Sequence, residues 1–392
     1  MSQGWPQVPL RDVLQLSIDA VPVEPSVSYR IAGVFSFGRG LLSRAPLIGS
    51  ETTYKVMHRL HKDDFVLSQL KGWEGALTKV SSSYDGWFLS PQFCTFRAIA
   101  DRLNIAYLDW YCKQSKVWDE LKNTARGMGA RRDSVSPERF LSLIIPLPPL
   151  SEQRRIVARI EELAAKINEA RVYRQKAAEE ADRLLASMAH RHDLNEDRKA
   201  AQGWRIVQLG DVIKHVDDSY RVQTDSSFPN LGIYSFGRGL FRKPPIDGAL
   251  TSATSLRRVR KGQFIYSRLF AFEGAYGFVD DEFDGYFVSN EYPTFECDSK
   301  EVRVEFVAAY FKSPFVWKDV AAGSKGLGDR RQRVQPDQIL SYDVWLPPME
   351  WQNRIARIQA QVDPLKKFQA ETAPELDAML PSILDMAFKG EL

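Results

Sequence analysis

The stretch SEQRRIVARIEELAAKINEARVYRQKAAEEADRLLASMAHRH, residues 151–192, contains neither glycine nor proline and follows a proline cluster. Ser151 is placed to cap a helix directly after those prolines. Apolar residues recur at alternating steps of four and three, which is typical of a coiled-coil seam, and residues 355–386 repeat the pattern. The predicted seam comprises Ile156, Ile160, Leu163, Ile167, Arg174 and Leu184 in the first helix, and Ile355, Ile358, Val362, Leu365, Gln369, Met379 and Ile383 in the second.

An antiparallel pairing of the two helices would place Arg174 level with Gln369 and Thr372, the polar interruptions of the two seams. Because a buried polar group needs a polar neighbour, this coincidence favours the antiparallel register. The second helix also contains three prolines, each of which removes a helix hydrogen bond, so we expect kinks or a break there. These prolines are Pro364, Pro374 and Pro381.

The regions that precede the two helices are copies of each other. Trp5 corresponds to Trp204, one residue after Gly4 and Gly203, and this offset of 199 (203 − 4) holds for about 150 residues without a gap. FSFGRG at residues 35–40 returns as YSFGRG at residues 234–239. The period is far too long for a solenoid, so the sequence indicates a duplicated domain.

Each copy contains short β-type runs separated by Gly, Asp and Ser turns, followed by a helix. We therefore predict an α+β fold with two homologous mixed modules joined by two long helices, which form an antiparallel coiled coil with a pseudo-twofold axis. The predicted ranges are 1–150 for the first module, 151–193 for the first spacer helix, 194–348 for a linker and the second module, and 349–392 for the second helix. Residues 192–202 are charged and without periodicity, as expected of the linker.

The composition, with 44% hydrophobic and 26% charged residues in a chain of 392, is that of a globular protein. A net charge of +3 is too small to indicate nucleic-acid binding by itself, so any DNA site must be a local patch. The lack of a long apolar run and of a signal peptide predicts a cytoplasmic protein without membrane contact. Cys94, Cys112 and Cys297 are widely spaced, which predicts buried, reduced thiols.

No catalytic motif is found, and we predict no catalytic residue, metal or cofactor in this chain. The histidines at HRLH and HRH lack the partners of a metal site and are expected to be exposed to solvent. They are His58, His61, His190 and His192.

The repeated arginine, Arg39 and Arg238, lies between two glycines in both copies. Such an arginine can grip a guanine edge bidentately or hold a phosphate; alternatively, it covers the surface of a glycine turn. Its recurrence in both copies favours binding. Neighbouring aromatic residues alternate in a way that favours strand packing over base stacking; they are Phe35, Phe37, Tyr234 and Phe236. The candidate DNA-binding residues are Arg39, Arg44, Arg131, Arg132, Arg238, Lys243, Arg268, Arg330, Arg331 and Arg333.

PLPPLSEQRRIVARI at residues 146–160, in a duplicated chain, resembles the specificity (S) subunits of type I restriction-modification systems. ILDMAFKGEL at 383–392 is similar to the end of that family, and the SFGRGL and SRLFAFEGA segments resemble one class of its target recognition domains. The resemblance implies that each module reads one half of a bipartite sequence in double-stranded DNA, and that the helices set the gap between the halves. Differences between the copies, such as Gln69 against Arg268, predict related but non-identical half-sites.

The resemblance also implies partners. The helices would hold two modification subunits, which methylate adenine at N6 with S-adenosylmethionine, and two restriction subunits would add an ATP-dependent translocase and nuclease that needs Mg²⁺. Two alternatives stay open: an S-like subunit of another methyltransferase assembly, and a coiled-coil scaffold that binds proteins.

Overall fold

The computed structural model describes residues 4–99, 101–123, 134–322 and 333–392. The chain forms two compact units. Unit 1 comprises Met1–Arg171 and Thr372–Leu392, and unit 2 comprises Val172–Glu371. Each unit therefore combines one module with parts of both long helices, a division that cuts across the ranges predicted from the sequence.

The first of the two long helical segments is one continuous helix, and the second is divided into two helices. α4 runs over Leu150–His190, so Ser151 lies in its first turn instead of capping it. The second segment consists of α9, Met349–Glu371, and α10, Ala373–Lys389. The shorter helices are α1 (Ile105–Tyr111), α2 (Ser115–Asn123), α3 (Pro137–Leu141), α5 (Glu196–Ala201), α6 (Val304–Tyr310), α7 (Pro314–Ala322) and α8 (Pro336–Leu340).

The strands of unit 1 form small antiparallel sheets. Four strands pair in the order β10-β9-β12-β2, three in the order β11-β8-β3, and the others form the pairs β1-β13, β4-β7 and β5-β6. Their bounds are β1 Gln7–Pro9, β2 Leu14–Leu16, β3 Asp19–Pro22, β4 Ser28–Tyr29, β5 Ala32–Val34, β6 Leu41–Ser43, β7 Leu47–Ile48, β8 Val56–Arg59, β9 Phe65–Ser68, β10 Leu77–Lys79, β11 Phe88–Leu89, β12 Phe93–Ala98 and β13 Ile144–Pro146.

The strands of unit 2 follow the same plan with fewer interruptions. Four strands pair in the order β15-β23-β20-β21, five in the order β16-β19-β22-β17-β18, and β14 pairs with β24. Their bounds are β14 Arg205–Gln208, β15 Ile213–Val216, β16 Ser219–Arg221, β17 Ser227–Ile233, β18 Leu240–Asp247, β19 Ser255–Arg258, β20 Phe264–Tyr266, β21 Tyr276–Phe278, β22 Phe287–Val288, β23 Thr294–Cys297 and β24 Asp343–Leu346.

In each unit the main core joins the module to the long helices. In unit 1, Phe388 of α10 packs edge-on against Tyr107 and Tyr111 of α1, with ring centroids 5.1 Å apart in both pairs. In unit 2, the indole nitrogen of Trp351 in α9 donates a hydrogen bond to the carbonyl of Met188 in α4 at 2.9 Å. The helices are therefore part of the module cores, and the predicted α+β class with two mixed modules and paired long helices is confirmed.

The helices run antiparallel within each unit. In unit 1, Arg155 bonds to the Leu392 main chain and Arg171 pairs with Asp377 at 2.7 Å. In unit 2, Asp182 pairs with Lys366 at 2.6 Å, and Trp351 bonds to Met188 further along α4. In both units, residues later in α4 contact residues earlier in the second helical segment, as expected of antiparallel helices.

The strict heptad register is wrong towards one end of α4. Ile156, Ile160 and Ile167 are buried as expected, but Leu184 is 49% exposed while Leu185 is 1% exposed. An ideal helix drifts by about 20° per heptad, so position 184 turns roughly 80° from the line of Ile156. The next residue, about 100° further on, returns to within roughly 20° of that line.

The second helical segment shows the same shift. Ile355 and Ile383 are buried, and Ile358, Val362 and Gln369 are half-buried, as is Leu163 of α4. Leu365 and Met379 are exposed, contrary to the prediction, and their successors Lys366 and Leu380 turn inward instead.

The expected interruption of the second segment occurs at Thr372, between α9 and α10 and two residues before Pro374. Pro364 and Pro381 lie inside helices. One terminal nitrogen of Arg174 is buried without a hydrogen-bond partner in the described parts of the chain.

Three other expectations are corrected. His58 and His190 are buried, and a main-chain carbonyl pairs with a ring nitrogen of each, that of Phe93 at 2.7 Å and that of Tyr310 at 2.9 Å. Cys297 is only half-buried. The predicted linker contains α5, which is capped by the side chain of Asn195. Within the described ranges, no helix combines the length and the apolar character needed to cross a bilayer.

Candidate nucleic-acid interface

The repeated arginine lies at the tip of a tight loop in unit 1. The loop joins β5 to β6, and the amide of Phe35 donates to the carbonyl of Gly40 at 2.9 Å, which closes the loop. Gly38 and Gly40 have φ of 63° and 87°, values that explain glycine on both sides of Arg39. Phe37 also has a positive φ, of 63°. A bulky residue in this conformation is strained and is held only when its surroundings enforce it.

The loop in unit 2 has the same geometry. It joins β17 to β18, and the amide of Tyr234 donates to the carbonyl of Gly239 at 2.9 Å. Phe236, Gly237 and Gly239 have φ of 65°, 66° and 85°. We call these two segments, residues 35–40 and 234–239, the arginine loops.

The second repeated motif, EGA, provides the support that holds each strained phenylalanine. The amide of Phe37 donates to the carbonyl of Glu74 at 2.8 Å, and that of Gly38 donates to the carbonyl of Gly75 at 2.9 Å. In unit 2 the amides of Phe236 and Gly237 bond to Glu273 and Gly274 at 2.7 and 2.9 Å. The two motifs that resemble one class of recognition domain thus form one structure in each unit.

A tryptophan explains the glycine of EGA. Gly75 has a φ of 78°, and a Cβ built on it would lie 2.5 Å from the Trp118 ring. Gly274, with a φ of 81°, faces Trp317 in the same way. These tryptophans lie edge-on or tilted against Phe37 and Phe236, at 6.0 and 6.4 Å between ring centroids. The loop, the EGA turn and the tryptophan therefore pack as a unit.

Each arginine is held between exposed aromatic rings. The Arg39 guanidinium lies 4.8 Å from the ring of Phe35 and 6.0 Å from that of Phe37, and its Nε donates to the carbonyl of Ser36 at 3.0 Å. Arg238 makes the same contacts with Tyr234, Phe236 and Ser235.

The expectation that these aromatic residues pack within strands is therefore wrong. Phe37 and Phe236 are 61% and 64% exposed, because they lie beyond the strand ends and their positive φ turns them outward. Each ring instead covers one side of the arginine.

This arrangement leaves the arginine available to a ligand. Nε is occupied by a carbonyl, whereas the two terminal nitrogens face solvent on an exposed residue. In the part of the chain that the structure describes, no carboxylate lies within ion-pair distance of Arg39 or Arg238. A guanidinium group with a fixed orientation and no internal counter-ion can form paired hydrogen bonds to a guanine edge or to a phosphate.

Other arginines of unit 2 are already paired. Arg258 and Arg260 both bond to Asp218, at 3.0 and 3.3 Å, and these contacts hold the pKa of its carboxyl below the usual value. Arg257 pairs with Asp217 at 3.2 Å. These cations stabilise the module, in contrast to the two loop arginines.

The remaining predicted residues fall into three groups. Arg44 and Lys243 are exposed, near or on the strand that follows each arginine loop. Arg268 is half-buried and donates to Gln335 at 2.7 Å, while Arg333 pairs with Glu291 at 3.2 Å. The last group lies outside the described residues; it comprises Arg131, Arg132, Arg330 and Arg331.

Sequence reasoning missed a pair of buried glutamines at the start of the long helices. Gln153 accepts from the amide of Asn104 at 2.8 Å and donates to the carbonyls of Arg102 and Pro148. Gln352, at the same place in the second copy, accepts from the amide of Arg303 and donates to the carbonyls of Glu301 and Pro347. Their identity across the offset of 199 residues was the available signal.

Comparison with known proteins places this geometry in context. Residues 51–174 match the type I restriction modification DNA specificity domain. A curated relative, the type I restriction enzyme HindI specificity subunit of Haemophilus influenzae, is 23% identical over 196 residues. That alignment covers 48% of this chain and 40% of the relative, so the chain spans less than half the length of that relative.

Solved structures share the fold over the whole chain. A chain of a type I R-M system studied for complex assembly and conformational transition has a TM-score of 0.64 at 23% identity, covering 100% of this chain and 99% of that one. The HsdS subunit from Thermoanaerobacter tengcongensis has a TM-score of 0.52 at 22% identity, covering 100% and 98%. The resemblance noted in the sequence is confirmed: the chain is similar to type I restriction-modification specificity subunits, in sequence over part of its length and in fold over all of it.

Proposed function

We propose that the protein is the DNA sequence-recognition subunit of a type I restriction-modification complex. Each unit would read one half of a bipartite site in double-stranded DNA, and the long helices would set the gap between the halves. The observation that carries the proposal is the pair of arginine loops. Both have the same strained backbone, the same aromatic contacts and the same unpaired guanidinium fork.

The rigidity of these loops supports base reading. Nε of each arginine is fixed by a carbonyl and its plane by aromatic rings, so little side-chain freedom is left to lose on binding. A phenylalanine with a positive φ is strained, so its presence beside a surface arginine in both units indicates that the position of this arginine serves a function. Arg44 and Lys243, exposed nearby, suit contacts to phosphates.

The long helices are suited to hold partner subunits. They expose apolar side chains that the intramolecular pairing leaves uncovered, among them Leu184, Leu365, Met379 and Met386. Apolar side chains exposed on paired helices are typical of protein contacts. We infer that two modification subunits dock on these helices, and that two restriction subunits join the complex through them.

In this proposal the chain supplies recognition and no catalysis. S-adenosylmethionine, Mg²⁺ and ATP would be bound by the partner subunits. The complex would act in the cytoplasm, where its DNA lies.

The proposal is tested by expressing the protein with its modification subunit and mapping N6-methyladenine across the host genome. We expect one bipartite motif with a fixed gap, which disappears when this chain is deleted. A methylation pattern that deletion leaves intact would contradict the proposal.

The scaffold alternative is distinguished by titrating the assembled methyltransferase with duplex DNA at several salt concentrations. A DNA reader binds more tightly as salt falls, because phosphate contacts release counter-ions. Absence of any salt-dependent DNA binding would favour the scaffold.

A further inference from the structure

A lysine behind each arginine loop has different partners in the two copies. In unit 2, Nζ of Lys312 donates to the carbonyl of Gly237, within the loop, at 3.1 Å. The same ammonium pairs with Asp182 of α4 at 2.7 Å, and Asp182 also pairs with Lys366 of α9 at 2.6 Å. The arginine loop of unit 2 is thus linked to both long helices through one carboxylate.

The equivalent lysine of unit 1 is held within its own module. Lys113, which is 199 residues before Lys312, pairs with Asp109 of α1 at 2.9 Å and lies over the Trp110 ring. Asp109 also accepts hydrogen bonds from Thr78 and from the amide of Lys79. Its counterpart in unit 2 is an alanine, Ala308. The lysine therefore pairs with a carboxylate of its own module in unit 1 and with a carboxylate of α4 in unit 2.

The residues of the long helices near this lysine also differ between the two copies. Asp182 corresponds to Pro381, Lys366 to Ile167 and Gln359 to Ile160 at the same offset. Ile160 and Ile167 are buried in the apolar core of unit 1. In unit 2 Gln359 and Lys366 line a cavity of 140 Å³ between the arginine loop and α9, together with Arg238 and Lys312.

We propose that Asp182 is a positioning residue for the second arginine loop: through Lys312 it makes the setting of Arg238 depend on the long helices, whereas Arg39 is set by its module alone. The inference rests on the proposed function. It predicts unequal half-sites, of which only the second responds to changes in the helices.

The partial burial of this ion pair explains how Asp182 can hold Lys312 in place. Lys312 and Asp182 are only 13% and 26% exposed in their side chains, so water screens their interaction less than that of a surface pair. Without Asp182, the Lys312 ammonium loses its ion-pair partner at 2.7 Å and is held less firmly at the Gly237 carbonyl. The loop then keeps its EGA contacts but loses its connection to α4 and α9.

The test is Asp182→Asn in the assembled methyltransferase, with two measurements. Hydrogen exchange should become faster in residues 234–240 and stay unchanged in residues 35–41. Affinity for a duplex with the mapped site should fall about two- to fivefold, the size expected for a partly exposed ion pair. The loss should vanish on a duplex whose second half-site is scrambled and persist when the first is scrambled.

Two further variants complete the design. Asp377→Asn removes another ion pair between the long helices, that of Arg171 in unit 1, and should change neither loop. Ala308→Asp in the Asp182→Asn background places a carboxylate four residues before Lys312, as Asp109 lies before Lys113, and should restore slow exchange. This rescue keeps the inference testable if Asp182→Asn also lowers overall stability.

Failure of the inference can be distinguished from failure of the proposed function. If Arg238→Ala lowers DNA affinity while Asp182→Asn alters neither exchange nor half-site preference, the positioning role is refuted and the function stands. If neither Arg39→Ala nor Arg238→Ala changes DNA affinity, the proposed function fails. Exchange in residues 234–240 then still decides whether Asp182 holds the loop.

Discussion

The side-chain oxygen of Gln153 accepts a hydrogen bond from the main-chain amide of Asn104 at 2.8 Å. The same glutamine donates to two carbonyls, so one buried side chain satisfies three main-chain groups where α4 meets its module. The amide of Asn104 and the carbonyls of Arg102 and Pro148 lie outside helices and strands, and main-chain groups of this kind need partners when buried. Gln153 supplies them, and Gln352 does so in unit 2.

Gln153→Ala should therefore lower the free energy of unfolding by about 2 to 4 kcal/mol, since it leaves buried polar groups without partners. Thermal and denaturant unfolding of the full chain measure this change. The exposed Gln361 on α9 provides a control, and its replacement by alanine should have little effect. Equal effects of both variants would contradict the role given to Gln153.

Arg39→Ala and Arg238→Ala should each weaken DNA binding by about 1 to 3 kcal/mol if the arginine reads a base. Each should relax specificity in one half-site only, which competition binding with single-base variants of the mapped site will show. Arg39→Lys and Arg238→Lys keep the charge but lose the fork. If the lysine variants bind like the wild type, the arginines hold phosphates instead of reading bases.

Gly274→Ala should disrupt the support of the second arginine loop. The added methyl group would overlap the Trp317 ring, and the φ of 81° is strained for alanine. We expect a loss of about 2 to 4 kcal/mol in stability, from strain of about 1 kcal/mol and overpacking of about 1 to 3 kcal/mol. Unfolding measurements report the loss.

Gly262→Ala is a matched control for this variant. Gly262 has a φ of 82°, but its Cβ would meet open space. It should lose only the conformational part of the stability and should keep DNA binding. A loss as large as that of Gly274→Ala would show that contact with Trp317 is unimportant.

Leu184 and Leu185 test the register of α4. Leu185→Ala should destabilise the protein by about 2 to 5 kcal/mol, because it removes a buried side chain from the core of unit 2. Leu184→Ala should change stability by less than about 0.5 kcal/mol, since that side chain is exposed. Chemical denaturation compares the two, and the opposite ranking would support the strict heptad. A weakened association of Leu184→Ala with the modification subunit would further support docking on this face.

His190 should make stability depend on pH. Burial lowers the pKa of this histidine from 6.5 to about 4, so the folded protein holds it neutral. Its contribution is complete above pH 6.5 and is lost as pH falls from 6.5 towards 4, to a total of about 3 kcal/mol. Melting temperatures measured across this interval should fall less steeply in His190→Gln than in the wild type. A His190→Gln slope that matches the wild type would contradict this assignment.

The predictions from the sequence were accurate where they depended on residues close together in the chain, and they failed where distant residues decided the outcome. Heptad spacing and the lack of glycine and proline predicted α4 and its apolar face, because these depend on neighbours within a few turns. The exact face at Leu185 was missed, since the small drift per heptad accumulates over the length of the helix. The burial of His58 and His190 was missed because their partner carbonyls lie far away in sequence.

The duplication, the long helical segments and the recurrence of the glycine-flanked arginine were determined by the sequence alone. Repetition and periodicity are properties of the chain itself and need no knowledge of contacts. Only the tertiary structure decided that the EGA turn holds the strained phenylalanine, that aromatic rings clamp the arginine, and that Lys312 finds its carboxylate on α4. The EGA and Lys312 contacts join residues that lie dozens to more than a hundred positions apart, and their distances are set by the packing of whole elements. The arginine lies only two and four residues from its aromatic rings, but the loop that brings them together is held by the distant EGA turn.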